Sequence, residues 1–255
     1  MKLKALTREL FRQAGCDVGR YRPLAIDPFA AQEFLMRDSN CRVVFDVGAF
    51  QGDATARYAR AFRQAEIYAF EPFPPSYKLL AERYAHEARV HVVNAAVSSE
   101  TGSALFHVNG IAATNSLLSR PSTGRRYYPR AGDGIETITV STVGLDEFCR
   151  QHQVNPPAVL KLDIQGNELA ALRGAEQMLR NEDVSLIFTE VAFVPLYEGG
   201  VQFNEICSHL NERGYSLFNI YDMCRTQTGQ IRFADALFVS DSYRRSVIDA
   251  LPEEF

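Results

Sequence analysis

Arg42-Val-Val-Phe-Asp-Val-Gly-Ala-Phe-Gln-Gly-Asp53 is an apolar run that meets an acid, then two glycines four residues apart, then a second acid. The run is short and made largely of β-branched and aromatic side chains, so it reads as a buried strand over 42–48. Gly48 lets the chain turn tightly and lets a ligand approach the backbone, and Gly52 lets the helix predicted over 53–62 pack close to the strand. Strand, glycine turn and helix together are the opening half of a βα unit.

The same alternation continues outward. Strands are predicted over 66–70 and 90–97, with a helix over about 75–86 between them. It pauses at two short edge strands, 103–108 and 135–143, around the polar stretch Ser119 to Gly134. It resumes with a helix over 145–152, a strand over 159–163, a helix over 168–179 and a strand over 184–190. A helix over 203–212 and strands over 215–220 and 234–239 close the series. Continuous apolar strands alternating with helices predict an α/β fold, a doubly wound, Rossmann-like, mostly parallel sheet with helices on both faces.

With no internal repeat and no long linker, residues 41–255 are expected to form one domain, preceded by an N-terminal helical segment over 1–40. In that segment Leu3, Leu6, Leu10 and Phe11 fall at helical spacing among Lys2, Lys4, Arg8 and Arg12. A helix capping the core or making an oligomer contact is the plainer reading, and a membrane-surface contact is the other.

Composition removes several classes of function. Of 255 residues, 46% are hydrophobic and 23% charged, which fits a folded globular chain. The net charge of −4 argues against a nucleic-acid partner, because phosphate binding relies on Lys and Arg. Cys16, Cys41, Cys149, Cys207 and Cys224 are odd in number and never form a C-x-x-C pair, so neither a disulfide framework nor a zinc site is suggested. His86, His91, His107, His152 and His209 show no metal-ligand spacing, and no G-x-S-x-G elbow for a serine hydrolase is present. No apolar run approaches the roughly 18 residues of a membrane span. The first residues lack the apolar core of a secretory signal, so a cytoplasmic location is expected.

In an open α/β sheet, ligands bind at the carboxyl ends of the strands where the strand order reverses. The first strand brings Asp46, Gly48, Ala49, Gly52 and Asp53 to that edge, and the second brings Glu71 and Pro72. An acid at the second strand end, some 25 residues after the first, suits the two hydroxyls of a ribose. The third strand ends in Asn94-Ala-Ala-Val-Ser98, where Ala96 and Val97 leave room for a flat base. The fourth ends in Lys161-Leu-Asp-Ile-Gln-Gly-Asn-Glu168, with Asp163 beside the reactive end of such a ligand, and the fifth ends in Glu190.

This is not the G-x-G-x-x-G of a dinucleotide site, which meets a pyrophosphate. Carboxylates at Asp46 and Asp53 suit a cationic nucleoside, and S-adenosylmethionine carries a sulfonium and an ammonium but no phosphate. For transfer of its methyl group to a hydroxyl, Asp163 is the first candidate base and Glu190 the second. A magnesium or calcium ion held by Asp163, Glu168 or Glu190 is the alternative way to acidify the hydroxyl. Asn115-Ser116 with Arg120, Arg125, Arg126, Tyr127, Tyr128 and Arg130 reads as a loop able to order over an acceptor.

Taken together, Phe45-Asp-Val-Gly-Ala-Phe-Gln-Gly52, Phe70-Glu-Pro72, Asn94-Ala-Ala-Val-Ser98, Thr142 to Asp146 and Leu160-Lys-Leu-Asp-Ile-Gln-Gly-Asn-Glu168 carry a likeness. The chain resembles the FkbM family of S-adenosylmethionine-dependent methyltransferases over roughly residues 40 to 220. The resemblance implies a class I methyltransferase sheet of seven strands. It also implies O-methylation of a hydroxyl on a small molecule: a sugar, a glycan or a polyketide-like natural product. The family commonly has Asn at the position of Phe50 and Glu at that of Gln165. The missing carboxylate at Gln165 motivates an alternative reading, a catalytically silent protein that binds the cofactor or a partner. A nucleotide-dependent oxidoreductase is a further rival, and a homo-oligomer is an open expectation.

Overall fold

The computed structural model describes residues 23–121 and 134–251. Its strands are β1 (Val43–Val47), β2 (Glu66–Phe70), β3 (Val90–Val93), β4 (Ala96–Val97), β5 (Gly102–Asn109), β6 (Gly134–Val143), β7 (Val159–Leu162), β8 (Leu186–Ala192), β9 (Tyr215–Arg225) and β10 (Ile231–Ser240). Seven of them form one sheet in the order β3-β2-β1-β7-β8-β10-β9. β3, β2, β1, β7 and β8 run parallel, while β10 is antiparallel to both of its neighbours. The chain moves outward from β1 to β3 and then crosses to β7 on the other side of β1. The order therefore reverses between β1 and β7, and a ligand crevice is expected at their carboxyl ends. The doubly wound, mostly parallel sheet of seven strands matches the sequence reading.

Strand parity sorts the core into two layers. Phe45, Val47, Leu160 and Leu162 face helices Leu145–His152, Glu168–Arg173, Glu176–Arg180 and Phe203–Asn211. On that side Phe45, Phe70 and Phe148 meet edge to face, with centroids 5.0–5.9 Å apart. Val44, Val159, Leu186 and Leu237 face the other way, against helices Pro28–Met36 and Asp53–Ala61, which contribute Ala31, Leu35, Met36 and Tyr58. Asp27 caps the first of these helices, its Oδ1 accepting the N–H groups of Phe29 and Ala30. Residues 2–13, read above as an amphipathic helix, lie outside the described residues, as does Cys16. Among the described residues no helix is long and apolar enough to cross a membrane.

Three elements depart from the sequence reading, each because of a tertiary contact. The strand predicted over 90–97 divides at Asn94-Ala95. Val90–Val93 pairs with β2, whereas Ala96–Val97 leaves the sheet and pairs with β6. The stretches read as short edge strands are the long antiparallel pair β5–β6, which with β4 makes a separate three-stranded sheet over the crevice. Its inner face packs Ala96, Phe106, Val108 and Val140 together.

The helix predicted over 168–179 breaks at Gly174, where a Cβ would fall 2.1 Å from the carbonyl oxygen of Ser98 and 3.2 Å from Cα of Gly144. Only glycine allows the backbones to meet there, and the overlap involves main chain that cannot rotate aside. Gly174→Ala is therefore expected to lower unfolding stability by about 3 kcal/mol, read from the midpoint of urea denaturation at constant m.

Candidate active site

The turn after β1 is fixed from two sides. The N–H groups of Gly48 and Ala49 both donate to the Phe70 carbonyl, at 3.1 and 3.0 Å. Gly48 sits at φ +76°, and a Cβ there would lie 1.9 Å from the carbonyl oxygen of Asp163. Backbone from β1, β2 and β7 thus converges at a point with no room for a side chain. Phe50 follows in the left-handed region at φ +50°. A bulky residue pays roughly 1 kcal/mol for that conformation, and Asn would adopt it more readily. The Phe50 N–H compensates by donating to Glu71 Oε2 at 2.9 Å.

Glu71 stands at the carboxyl end of β2. Its Oε1 accepts the Phe73 N–H at 2.8 Å, so the carboxylate ties the β1 turn to the β2 exit. Burial pushes its pKa up to about 7, against the lowering effect of the Phe73 and Phe50 N–H groups. It opens onto a cavity of about 140 Å³ at the switch point. Gly48, Glu71, Pro72, Ala96, Val97 and Asp163, all singled out from the sequence, line that cavity.

Four other residues read as cofactor contacts do not line it. Asp46 is fully buried on the opposite face of β1, because it shares strand parity with Val44 and not with Val47. Its oxygens face Thr55 Oγ1 at 2.6 Å and Lys161 Nζ at 3.1 Å. Asp46 therefore pairs with the buried Lys161 and lies away from the cavity lining. Ala49 packs with Ala69 and Leu80. Gly52 sits beneath Leu80 and Tyr84 at the start of helix Asp53–Ala61. The Asp53 side chain is 94% exposed and pairs with Arg83 at 2.8 Å on the surface.

Sequence reasoning missed most of the opposite wall. Phe106 and Leu117 come from β5 and the segment after it, with Ala112, Ala113 and Asn115 from the turn between them. Asn115 Oδ1 accepts the Asn109 N–H at 2.7 Å, and Ser116 Oγ donates to the Gln165 carbonyl at 2.8 Å. This part of the predicted acceptor loop is thus folded into the site, while Arg125, Arg126, Tyr127, Tyr128 and Arg130 lie outside the described residues.

A second cavity of about 240 Å³ adjoins the first. Ala113, Asp163 and Gln165 line both and form the shared wall. Thr114, Glu190, Tyr197 and Phe233 face only the second, together with Arg120. Lys161 donates to the Gly48 carbonyl at 2.9 Å and lies 3.8 Å from Asp163 Oδ2. Burial alone would lower the lysine pKa, but Asp46 and Asp163 outweigh it and hold the group charged.

Carboxylates farther along the edge are raised as well, but with burial as the cause. Burial, reinforced by Asp163, Glu168 and Asp235, raises Glu190 well above the carboxylate range. Asp235, opposite Glu190 in the β8–β10 register, is pushed up to about 7 by burial and then by Asp163 and Asp222. Glu168 is also near 7 from burial, and its Oε1 accepts the N–H groups of Ile164 and Gly166 at 3.1 and 3.2 Å. That is a turn-holding role. Among the described residues no group of three or more His, Cys, Asp or Glu side chains is arranged to hold a metal ion.

The donor set of the first cavity fits S-adenosylmethionine. Glu71 and Asp163 line it, and among its described lining residues there is no Lys, Arg or His to meet a phosphate. Ala95, Ala96 and Val97 with Phe106 and Leu117 supply small and apolar walls for a flat base. An acid-lined cavity at the switch point of a seven-stranded β3-β2-β1-β7-β8-β10-β9 sheet is the class I methyltransferase arrangement. The profile of the methyltransferase FkbM domain matches residues 46–217, and the chain belongs to the FkbM family of S-adenosylmethionine-dependent methyltransferases.

Two relatives stand out. The 2-O-methyltransferase NoeI of Sinorhizobium fredii is 25% identical over 171 residues, 64% of this chain and 69% of that protein. The hexuronic acid methyltransferase AglP of Haloferax volcanii is 27% identical over 176 residues, 69% of this chain and 66% of that protein. The chain thus spans about two thirds of the length of these relatives. Among solved structures, an rRNA methylase from Streptococcus thermophilus aligns with a TM-score of 0.46 and 11% identity, covering 88% of this chain and 99% of that one. The precorrin-6y C5,15-methyltransferase from Geobacter metallireducens aligns at 0.45 and 10%, covering 83% and 87%.

Proposed function

We propose that this methyltransferase methylates a hydroxyl of a sugar, alone or within a glycan, and that the acceptor occupies the second cavity. The observation that carries the reading is the shared wall. Asp163 and Gln165 border both cavities, so an acceptor in one meets a cofactor in the other across these two side chains. The names of two relatives, a 2-O-methyltransferase and a hexuronic acid methyltransferase, support a sugar as the acceptor.

In this reading Glu71 accepts hydrogen bonds from the ribose, while Ala96 and Val97 border the base. When bound, S-adenosylmethionine supplies an electrophilic methyl group. Asp163, 45% exposed at the wall, takes the proton of the acceptor hydroxyl as the oxygen becomes the nucleophile. Lys161 places a positive charge 3.8 Å from Asp163 Oδ2. Glu190, whose pKa burial raises, orients the acceptor by hydrogen bonding. Much of the acceleration is positional, since well-aligned partners reach effective molarities of about 10⁵ M or more. A catalytically silent binder is the weaker reading, because the carboxyl groups of Asp163 and Glu190 line the second cavity despite the amide at Gln165.

The test is methyl transfer from radiolabelled S-adenosylmethionine to a panel of glycans that includes hexuronic acids. Label that survives mild alkali is a methyl ether and is the expected result. Alkali-labile label would be a carboxyl ester, and it would overturn the assignment to a hydroxyl.

A further inference from the structure

We infer that Gln165 is a positioning residue for methyl transfer, its side-chain amide tying Asp163 to Glu190 at the wall between the two cavities. This rests on the acceptor reading above. Nε2 of Gln165 donates to Asp163 Oδ1 at 2.9 Å and to Glu190 Oε2 at 3.1 Å. Its Oε1 accepts the Tyr197 hydroxyl at 2.8 Å, and its backbone carbonyl accepts Ser116 Oγ. Gln165 therefore touches the ends of β7 and β8, the loop that carries Tyr197 and the segment that carries Ser116. The backbone is held in the left-handed region at φ +59°, with Gly166 next to it packed under the Tyr197 ring.

An amide is the side chain suited to that position. Two carboxyl groups that share a wall repel when ionised, and a carboxylate between them offers only acceptors. A neutral NH2 group offers two donors and adds no charge. The charged groups facing Glu190 on β8 are Lys161 from β7, Asp163 just past its end, Glu168 from the helix that follows and Asp235 from β10. Arg120 reaches the same network by donating to the Tyr197 hydroxyl at 3.2 Å. In this crowd of acids, Gln165 fixes one oxygen each of Asp163 and Glu190 and leaves the remaining oxygens to the acceptor.

The test compares the parent protein with Gln165→Glu and Gln165→Leu. Unfolding and S-adenosylhomocysteine titration come first, and both variants are expected to stay within about threefold of the parent in affinity. Carboxyl carbon NMR of the ligand-free protein follows, a readout that needs no acceptor. A third acid should raise the titration of the cluster by about one pH unit in Gln165→Glu. With an acceptor, kcat should fall roughly 100-fold in both variants with a smaller change in KM. The acid limb of the Gln165→Glu profile should move to higher pH.

Unaltered titration in Gln165→Glu would overturn the inference, as would loss of S-adenosylhomocysteine binding in that variant, which would make Gln165 a cofactor contact. Should Gln165→Leu fail to fold, Gln165→Glu carries the test alone. A shifted titration together with a parent that methylates no sugar would sink the acceptor reading and leave the carboxyl clamp standing.

Discussion

Replacing Glu71 by Gln is expected to weaken S-adenosylhomocysteine binding about 100-fold, close to 2.8 kcal/mol at 1.4 kcal/mol per factor of ten. Two losses add to reach that figure. Ribose hydroxyls donate more strongly to a carboxylate than to an amide, and hydrogen bonds to charged groups contribute about 1.5–3 kcal/mol against about 1 for neutral ones. The amide would also point a donor at the N–H of Phe50 or Phe73, each of which now donates to a carboxylate oxygen. The β1 turn would lose its tether to β2, while the sheet beneath it keeps its core.

A pH signature accompanies the change. In the ligand-free protein burial holds the Glu71 pKa at about 7. Ribose hydroxyls favour the ionised form, so binding lowers that pKa and releases a proton. Affinity should therefore rise with pH up to about 7 and flatten above it, and the Gln variant should lose this rise. Calorimetry in buffers of different ionisation enthalpy measures both the affinity and the proton count. Parent-like affinity in the variant would remove Glu71 from the ribose site.

Asp163→Asn should reduce turnover by about 10²–10⁴-fold, the range for removing a positioned general base. Cofactor affinity should stay within about threefold, because the asparagine keeps an oxygen for the Gln165 amide and Lys161 keeps Asp46 at 3.1 Å. Single-turnover kinetics separates the chemical step from product release. If turnover is unchanged, Asp163 is not the base and Glu190, the other carboxyl group beside Gln165, takes its place.

The sequence shows the sheet well because its evidence is local. Val43 to Val47, Glu66 to Phe70 and Val159 to Leu162 are apolar runs followed by turn residues, and local pattern is enough to find them. Glu71 and Asp163 are legible for the same reason, as acids just past a strand end. Asp46 was readable in part. Two-residue alternation sets it with Val44, away from Val47, although its partner Lys161 comes from a strand more than a hundred residues later.

Long-range contacts hide the rest. The break at Gly174 depends on the Ser98 carbonyl, and the Phe106 and Leu117 wall depends on how β5 pairs with β6 beside β4. Gln165 is the clearest case. Read along the chain it is a missing carboxylate, but in the folded site it is a donor between two carboxyl groups.

The most direct measurement is a crystal structure of the protein with S-adenosylhomocysteine. The expected result has the ribose hydroxyls on Glu71, the base against Ala96 and Val97, and the sulfur directed at the wall formed by Asp163 and Gln165. A nucleoside bound elsewhere, or one whose ribose makes no contact with Glu71, would contradict the account.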